Sequence, residues 1–333
     1  MFIEQARKPN MGSGDYFVRY FLGIVIIALG YVIGQIPFTV AVLAKSMADG
    51  TGINIDPAKI MSVLEPNLSL FLVLLTFVAT MLAIFLVVKL VHKQSFLSLT
   101  TARPQVDWKR IFFAFGVWAT FSVVSTLALY WAYPEDFVVA FKPVPFLILL
   151  VIATLMIPIQ TSAEEYLFRG YLMQGIGLMA GNRWVPLLVT SVLFGGMHLM
   201  NPEVGKMGYI VMVYYIGTGF FLGILTLMDD GLELALGFHA ANNLLTALLV
   251  TSDWTAFQTY SVFKSTAEPD ATLDVLLPVV VVFPILLFIF SRRYGWRDWW
   301  PKLTGKLQPI STVNTADHGN PGDPDLPQRP HGL

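Results

Sequence analysis

The feature that most constrains this chain is a series of apolar stretches, each long enough to cross a lipid bilayer. A membrane-spanning helix needs about 20 predominantly apolar residues, and eight segments meet that requirement. They lie near residues 18–43, 67–91, 111–132, 145–165, 184–200, 207–228, 232–251 and 274–291. We therefore predict an all-α fold, a polytopic membrane helix bundle of about eight transmembrane helices.

Composition supports the same class. Hydrophobic residues make up 55% of the chain and charged residues 13%, whereas soluble domains carry about 25% charged residues. The chain has no cysteine, which excludes disulfides, thiol catalysis and cysteine-based metal sites. A net charge of −1 gives no indication of a nucleic-acid partner. The N-terminus lacks a short apolar core with a cleavage site, so we expect the first apolar run to stay in the membrane as an anchor.

Loop charges predict the orientation. Lysines and arginines concentrate before the first span, between the second and third, between the fourth and fifth, and after the eighth. Cytoplasmic loops carry such an excess, so both termini are predicted to be cytoplasmic. We expect a multi-pass protein of a prokaryotic cytoplasmic membrane. The apolar pattern of the fourth span continues to Gly181, so that helix should extend well past the bilayer core.

Charged residues interrupt the fourth span at "SAEEYLFRG", residues 162–170. Each charge at the centre of a span costs about 2.5–3.5 kcal/mol on insertion scales. Glu165 and Arg169 are four residues apart, on one helix face with the acid first, a favourable arrangement for an ion pair. Glu164 points about 100° away around the helix and has no basic partner at helical spacing. One carboxylate is explained by local structure and the other is left over.

Two other predicted spans also contain polar side chains, His198 in the fifth and His239 with Asn243 in the seventh. His239 and Asn243 are four residues apart and share a helix face. Any one of them alone is readily explained as a hydrogen bond between helices. Together with the leftover Glu164, they form a set suited to activating a water molecule and stabilising an oxyanion. Their joint occurrence therefore favours a catalytic site.

The same residues fall into three motifs, EExxxR, FxxxH and HxxxN, which occur in this order in the CAAX prenyl protease and bacteriocin-processing (CPBP) family of intramembrane proteases. Residues 145–250 resemble that family, with the motifs standing as Glu164-Glu165-Tyr-Leu-Phe-Arg169, Phe194-Gly-Gly-Met-His198 and His239-Ala-Ala-Asn-Asn243. The resemblance implies peptide-bond hydrolysis within the membrane. Together with the apolar pattern, it divides the chain into a cytoplasmic segment (1–17), helices 1–3 (18–144), a catalytic core of helices 4–7 (145–251) and helix 8 with an interfacial segment (252–303). The Pro-, Gly- and Asp-rich composition of the remainder predicts a disordered tail (304–333).

The resemblance also implies a role for each residue. Glu164 matches the general base, and His198 matches a residue that helps to hold the attacking water or a metal. His239 and Asn243 match the oxyanion-stabilising groups, whereas Glu165 and Arg169 match a supporting pair. The expected substrate is a membrane protein or a lipophilic peptide in the bilayer.

The cofactor stays open at this point. Glu164, His198 and His239 could offer zinc a first shell of two histidines and a glutamate with an open fourth position. A metal-free, glutamate-activated water would use the same residues. The HExxH pattern of soluble zinc proteases is absent from the sequence.

Two other functions compete with proteolysis. A proton-coupled transporter could relay protons through the same acid and histidines, but no pair of broken helices recurs in matching halves of the chain, as transporters often show. A catalytically silent scaffold or immunity-type protein of the same fold would be expected to lose motif residues, and this chain retains them all.

Overall fold

The computed structural model describes residues 1–9, 11–50, 52 and 57–307. The helices are α1 (Ser13–Ala48), α2 (Pro66–Leu86), α3 (Phe96–Thr100), α4 (Trp108–Ala132), α5 (Pro143–Glu165), α6 (Met173–Ala180), α7 (Trp184–Gly196), α8 (Pro202–Met207), α9 (Val211–Asp229), α10 (Glu233–Leu249), α11 (Phe283–Tyr294) and α12 (Trp299–Thr304). Segments of π-helix cover Val87–Val91, Tyr166–Leu172, Ala271–Leu276 and Pro278–Val282, and short 3₁₀ helices cover Ile3–Ala6, Pro57–Ser62, Pro134–Asp136 and Gly208–Ile210. The strands are β1 (Phe137–Val139), β2 (Val250–Thr251) and β3 (Phe263–Ser265).

The predicted all-α membrane bundle is confirmed. Six helical segments of the described residues are long and apolar enough to cross a bilayer, namely Ser13–Ala48, Pro66–Val91, Trp108–Ala132, Pro143–Ala180, Pro202–Asp229 and Ala271–Tyr294. The predicted fifth and seventh spans correspond to the shorter helices α7 and α10. The chain is therefore an integral, multi-pass membrane protein, and the number of eight spans and the cytoplasmic termini stay predictions.

Local sequence accounts for where the helices begin and end. Glu65 caps α2 by accepting a hydrogen bond from the backbone N–H of Leu68 at 2.9 Å, and Asp107 caps α4 in the same way. Gly181 follows α6 with a φ of +67°, a left-handed conformation that ends the helix at little cost for glycine. The helix that begins at Pro143 thus ends at Ala180, after 38 residues, and its predicted continuation beyond the fourth apolar run is observed.

Glycines bring the helices of the core close together. A Cβ on Gly195 of α7 would lie 2.4 Å from Ile216 of α9, and one on Gly219 of α9 would lie 2.7 Å from the backbone oxygen of Ser191. A Cβ on Gly237 of α10 would meet the backbone oxygen of Ile111 of α4 at 2.1 Å. These contacts set α9 against α7 and α10 against α4. Gly196, in contrast, has nothing within 4 Å of the position of a Cβ.

The two ends of the bundle differ. At one end the short strands form a sheet in the order β1-β3-β2, with β1 antiparallel and β2 parallel to β3. At the other end a charged network joins α4 to the turn between α9 and α10. There Arg103 pairs with Asp229 at 3.0 Å and with Glu233 at 3.2 Å, and Arg110 also pairs with Asp229. A cavity of about 430 Å³ adjoins this network. The network fixes the first turn of α10, the helix that carries His239.

Two predicted boundaries need correction. The segment expected to be a disordered tail begins within ordered structure, because α12 ends at Thr304 and Leu307 is buried, with its N–H donated to the carbonyl of Gly181 at 2.9 Å. The remainder of that tail, 308–333, lies outside the described residues. The first helix begins at Ser13, within the segment assigned to the cytoplasm, and Phe2 before it packs into the core.

Candidate active site

The fourth span changes its helical winding at the polar motif. Glu164 and Glu165 end α5, and the π-helical segment Tyr166–Leu172 follows before α6 resumes the α-helix. Pro158 lies inside α5, where it removes one backbone hydrogen bond. Single π-helical turns within α-helices are frequent at functional sites. The irregular winding coincides with the residues that the sequence singled out.

The predicted ion pair of Glu165 and Arg169 is confirmed. Arg169 Nη1 lies 3.1 Å from Glu165 Oε1, and both side chains are fully buried. Arg169 Nη2 also donates to the backbone oxygen of Gly219 at 3.2 Å, and the guanidinium lies 4.2 Å from the ring centroid of Phe194. The arginine therefore joins the end of α5 to α7 and α9.

Glu165 has a second partner that sequence spacing could not reveal. His239 Nδ1 lies 2.7 Å from the same Oε1 atom, across a separation of 74 residues. Because a carboxylate can only accept, Nδ1 carries the hydrogen. The opposite ring nitrogen, Nε2, then faces Glu164 and lies 3.6 Å from its Oε2. Glu165 thus orients the imidazole towards Glu164, in addition to pairing with Arg169.

The two adjacent glutamates differ in access. Glu165 is fully buried, whereas the side chain of Glu164 is 16% exposed. As the sequence indicated, no basic residue on its own helix pairs with Glu164; its helical partner is Gln160, whose Nε2 donates to Oε1 at 2.6 Å. Of these two glutamates, Glu164 is therefore the one that can contact both His239 and a molecule entering from outside.

Asn243 lies one turn beyond His239 on the face of α10 that packs against α5. Its Nδ2 donates to Gln160 Oε1 at 3.0 Å, and its Oδ1 accepts from Asn242 Nδ2 at 3.0 Å. Trp118 of α4 donates its indole N–H to Asn242 Oδ1 at 3.1 Å. Helical spacing gave no sign of the contacts that Gln160, Asn242 and Trp118 make in this group. The doubled asparagine after His239 was the available clue.

His198 lies beyond the end of α7, next to this group. Its Nδ1 donates to the backbone oxygen of Phe194 at 2.8 Å, and its ring stacks on Tyr215 with centroids 4.3 Å apart. The Phe194 ring lies 4.9 Å from His198 and 5.9 Å from His239. In the part of the chain that the structure describes, no hydrogen bond or ion pair joins His198 to Glu164.

The suggested zinc ligands are not assembled in this arrangement. Glu164 and His239 lie together, but the described residues contain no group of three or more histidine, cysteine, aspartate or glutamate side chains placed to hold a metal ion. The zinc site of Glu164, His198 and His239 therefore stays a prediction.

Comparisons with known proteins match the same part of the chain. Residues 143–245 match a model of the Rce1-like family, described as type II CAAX prenyl endopeptidase. The family that the three motifs predicted is confirmed for this segment. The matched segment holds every residue of the three motifs and begins with α5.

A curated relative extends the similarity beyond that segment but carries no activity in its name. It is a Bacillus subtilis (strain 168) protein described as uncharacterized protein YyaK, 28% identical over 246 residues, which are 73% of this chain and 81% of the relative. No solved structure matches the chain. The comparisons thus support the fold of a CAAX-type protease, and the activity has to be argued from the site.

Proposed function

We propose that this protein is an intramembrane endopeptidase that hydrolyses a peptide bond of a membrane-associated or lipophilic protein. The observation that carries the proposal is that two adjacent glutamates face the two ring nitrogens of one histidine. Glu165 is buried and orients His239 through Nδ1, whereas the partly exposed Glu164 faces Nε2 of the same ring. A carboxylate paired with an oriented imidazole is an arrangement that activates a water molecule for nucleophilic attack.

The facing atoms of Glu164 and His239 explain where the water would bind. With Nδ1–H donated to Glu165, a neutral His239 presents a lone pair at Nε2, and Glu164 Oε2 presents another 3.6 Å away. Two acceptors in that position need a donor beside them. One water molecule supplies it, with one hydrogen for the carboxylate and one for the imidazole. In this proposal His239 binds the water, in place of the oxyanion-stabilising role that the family resemblance implied.

The reaction then balances without further groups. Glu164 takes a proton from the water as its oxygen attacks the peptide carbonyl carbon, and the carbonyl oxygen becomes an oxyanion. Asn243 keeps one Nδ2 hydrogen beyond the one it gives to Gln160, and it donates that hydrogen to the oxyanion. The C–N bond breaks, the proton on Glu164 passes to the leaving nitrogen, and the products are a carboxylic acid and an amine. The acid then gives its proton to the amine, so that they leave as a carboxylate and an ammonium ion. His198, one aromatic ring away, orients the substrate or water.

The proposed substrate class follows from where the site lies and from the family name. The site is enclosed by helices of the membrane bundle, so its substrate must enter from the bilayer or its boundary. The matched family is described as a CAAX prenyl endopeptidase, which makes a peptide with a farnesylated C-terminal CAAX sequence the first probe. Its unprenylated form serves as the matched control for the role of the lipid.

The function is tested by comparing the peptides in membranes from cells that produce the parent protein or its Glu164→Ala variant. We expect a set of cleavage products that occurs with the parent and is lost with the variant at equal protein level. Indistinguishable peptide populations, together with no cleavage of either form of the CAAX peptide by purified parent protein, would refute proteolysis.

A further inference from the structure

A line of hydrogen bonds links the indole of Trp118, on α4, to the carboxylate of Glu164, on α5. Trp118 Nε1 donates to Asn242 Oδ1 at 3.1 Å, and Asn242 Nδ2 donates to Asn243 Oδ1 at 3.0 Å. Asn243 Nδ2 then donates to Gln160 Oε1 at 3.0 Å, and Gln160 Nε2 donates to Glu164 Oε1 at 2.6 Å. We call this line the amide relay. It joins three helices through three side-chain amides.

The two ends of the amide relay determine its direction. An indole N–H can only donate, and a carboxylate can only accept. Each amide between them presents its oxygen to one neighbour and its NH₂ group to the other, so reversing any one of them would place two donors or two acceptors face to face. Only one assignment of amide oxygens and nitrogens therefore satisfies every contact. In that assignment every amide directs its NH₂ group towards Glu164.

We propose that Trp118 is a positioning residue for the catalytic base, because its N–H holds the amide relay in the direction in which Gln160 donates to Glu164, whichever protonation state Glu164 adopts. That donation occupies Oε1 of Glu164 and leaves the other oxygen, Oε2, facing His239. The inference rests on the proposed function in taking Glu164 as the base. Trp118 lies outside residues 143–245, which match the family model.

Packing holds the indole in the position that the amide relay requires. Trp118 is buried, with its ring 4.5 Å from that of Phe238 and 5.0 Å from that of Phe121. Gly237 precedes Asn242 on α10, and the absence of a side chain there lets the backbone of α4 approach closely. The indole N–H thus has a fixed acceptor in the core, Asn242 Oδ1, and the amides connect that contact to the site.

The experiment compares three variants with the parent protein. Trp118→Phe keeps an aromatic ring but removes the donor. Asn242→Asp keeps the shape but offers two acceptors, so Asn243 and Gln160 should both reverse and present the Gln160 oxygen to Glu164. Trp296→Phe is the matched control, because Trp296 also donates its indole N–H, to Asp229 at 3.2 Å, away from the amide relay.

Two readouts separate positioning from structure. The first is the pH profile of kcat/KM with the farnesylated CAAX peptide. Its acid limb should move to higher pH by about one unit in Trp118→Phe, because the amides can then reverse and accept a hydrogen bond from protonated Glu164. It should move further in Asn242→Asp, because the charged form of Glu164 also loses Gln160 as a donor. The second readout is the infrared carbonyl stretch of protonated Glu164, identified by its absence in Glu164→Gln, followed as a function of pH. It should shift in the same order, and Trp296→Phe should titrate like the parent in both.

The two readouts also separate this inference from the proposed function. If the parent does not cleave the peptide, the infrared titration still tests the amide relay. If the parent cleaves it but both relay variants titrate with the parent in infrared and in rate, the positioning role of Trp118 is wrong and proteolysis stands. If Trp118→Phe alone fails to fold, the isosteric variant Asn242→Asp still decides the test.

Discussion

Replacing Glu165 by alanine should destabilise the protein far more than the same change at the neighbouring Glu164. Glu165 accepts from Arg169 at 3.1 Å and from His239 at 2.7 Å, and both it and the arginine are fully buried. The substitution leaves the guanidinium without a counter-charge in the membrane core. Glu164, in contrast, is 16% exposed and accepts one hydrogen bond, from Gln160.

The magnitudes follow from these contacts. Breaking a buried ion pair by removing one partner costs about 3–5 kcal/mol. Arg169 retains its bond to the Gly219 carbonyl and its contact with the Phe194 ring, which favours the lower part of that range. Losing the single hydrogen bond at Glu164 should cost about 1 kcal/mol. We therefore expect Glu165→Ala to be less stable than Glu164→Ala by about 2 kcal/mol or more.

The assay is unfolding by sodium dodecyl sulfate in mixed micelles, followed by tryptophan fluorescence, for parent, Glu164→Ala and Glu165→Ala proteins. The double variant Glu165→Ala/Arg169→Met should recover part of the loss, because it removes the uncompensated charge. If Glu165→Ala unfolds at the same midpoint as Glu164→Ala, the buried pair does not hold these helices together and the structural role of Glu165 is refuted.

Three further predictions test other parts of the account. Asn243→Ala should lower kcat by about 10²–10³-fold with KM little changed, and a variant within a few-fold of the parent would leave Asn243 as a helix bridge. Burial, assisted by nearby Lys8, lowers the pKa of His92 from 6.5 to about 4. The unfolded chain therefore binds this proton first, so stability should decline as pH falls from 6.5 towards 4, and His92→Gln should flatten that part of a plot of melting temperature against pH. In this cysteine-free chain, a cysteine that replaces Lys109 at the start of α4 should be labelled only from the cytoplasmic side. A cysteine that replaces Glu135, just past the end of α4, should be labelled only from the outer side, and the reverse pattern would overturn the orientation.

The helices were predictable because a bilayer imposes length and hydrophobicity on any segment that crosses it. The run beginning at Pro143 and its extension to Ala180 follow from composition alone. The shortness of α7 was not predictable, since Met197, Leu199 and Met200 continue its apolar pattern, yet the helix ends at Gly196. Packing of Leu307 was equally hidden, because its contact with Gly181 joins distant parts of the sequence.

For the site, sequence spacing was sufficient within one helix and insufficient between helices. The Glu165–Arg169 pair and the shared face of His239 and Asn243 follow from helical periodicity. The bond from His239 to Glu165 depends on how α10 packs against α5, which no periodicity specifies.

The central claim, that Glu164 activates the attacking water while Glu165 maintains the structure, is tested most directly by one activity measurement. Parent and Glu164→Gln proteins are reconstituted in lipid vesicles, their folded fractions are matched by unfolding midpoint, and hydrolysis of the farnesylated CAAX peptide is followed. Loss of a general base typically costs about 10²–10⁴-fold in rate, and we expect a fall of that size in a variant as stable as the parent. A stable Glu164→Gln protein that retains about a tenth of the parent rate or more would contradict the claim.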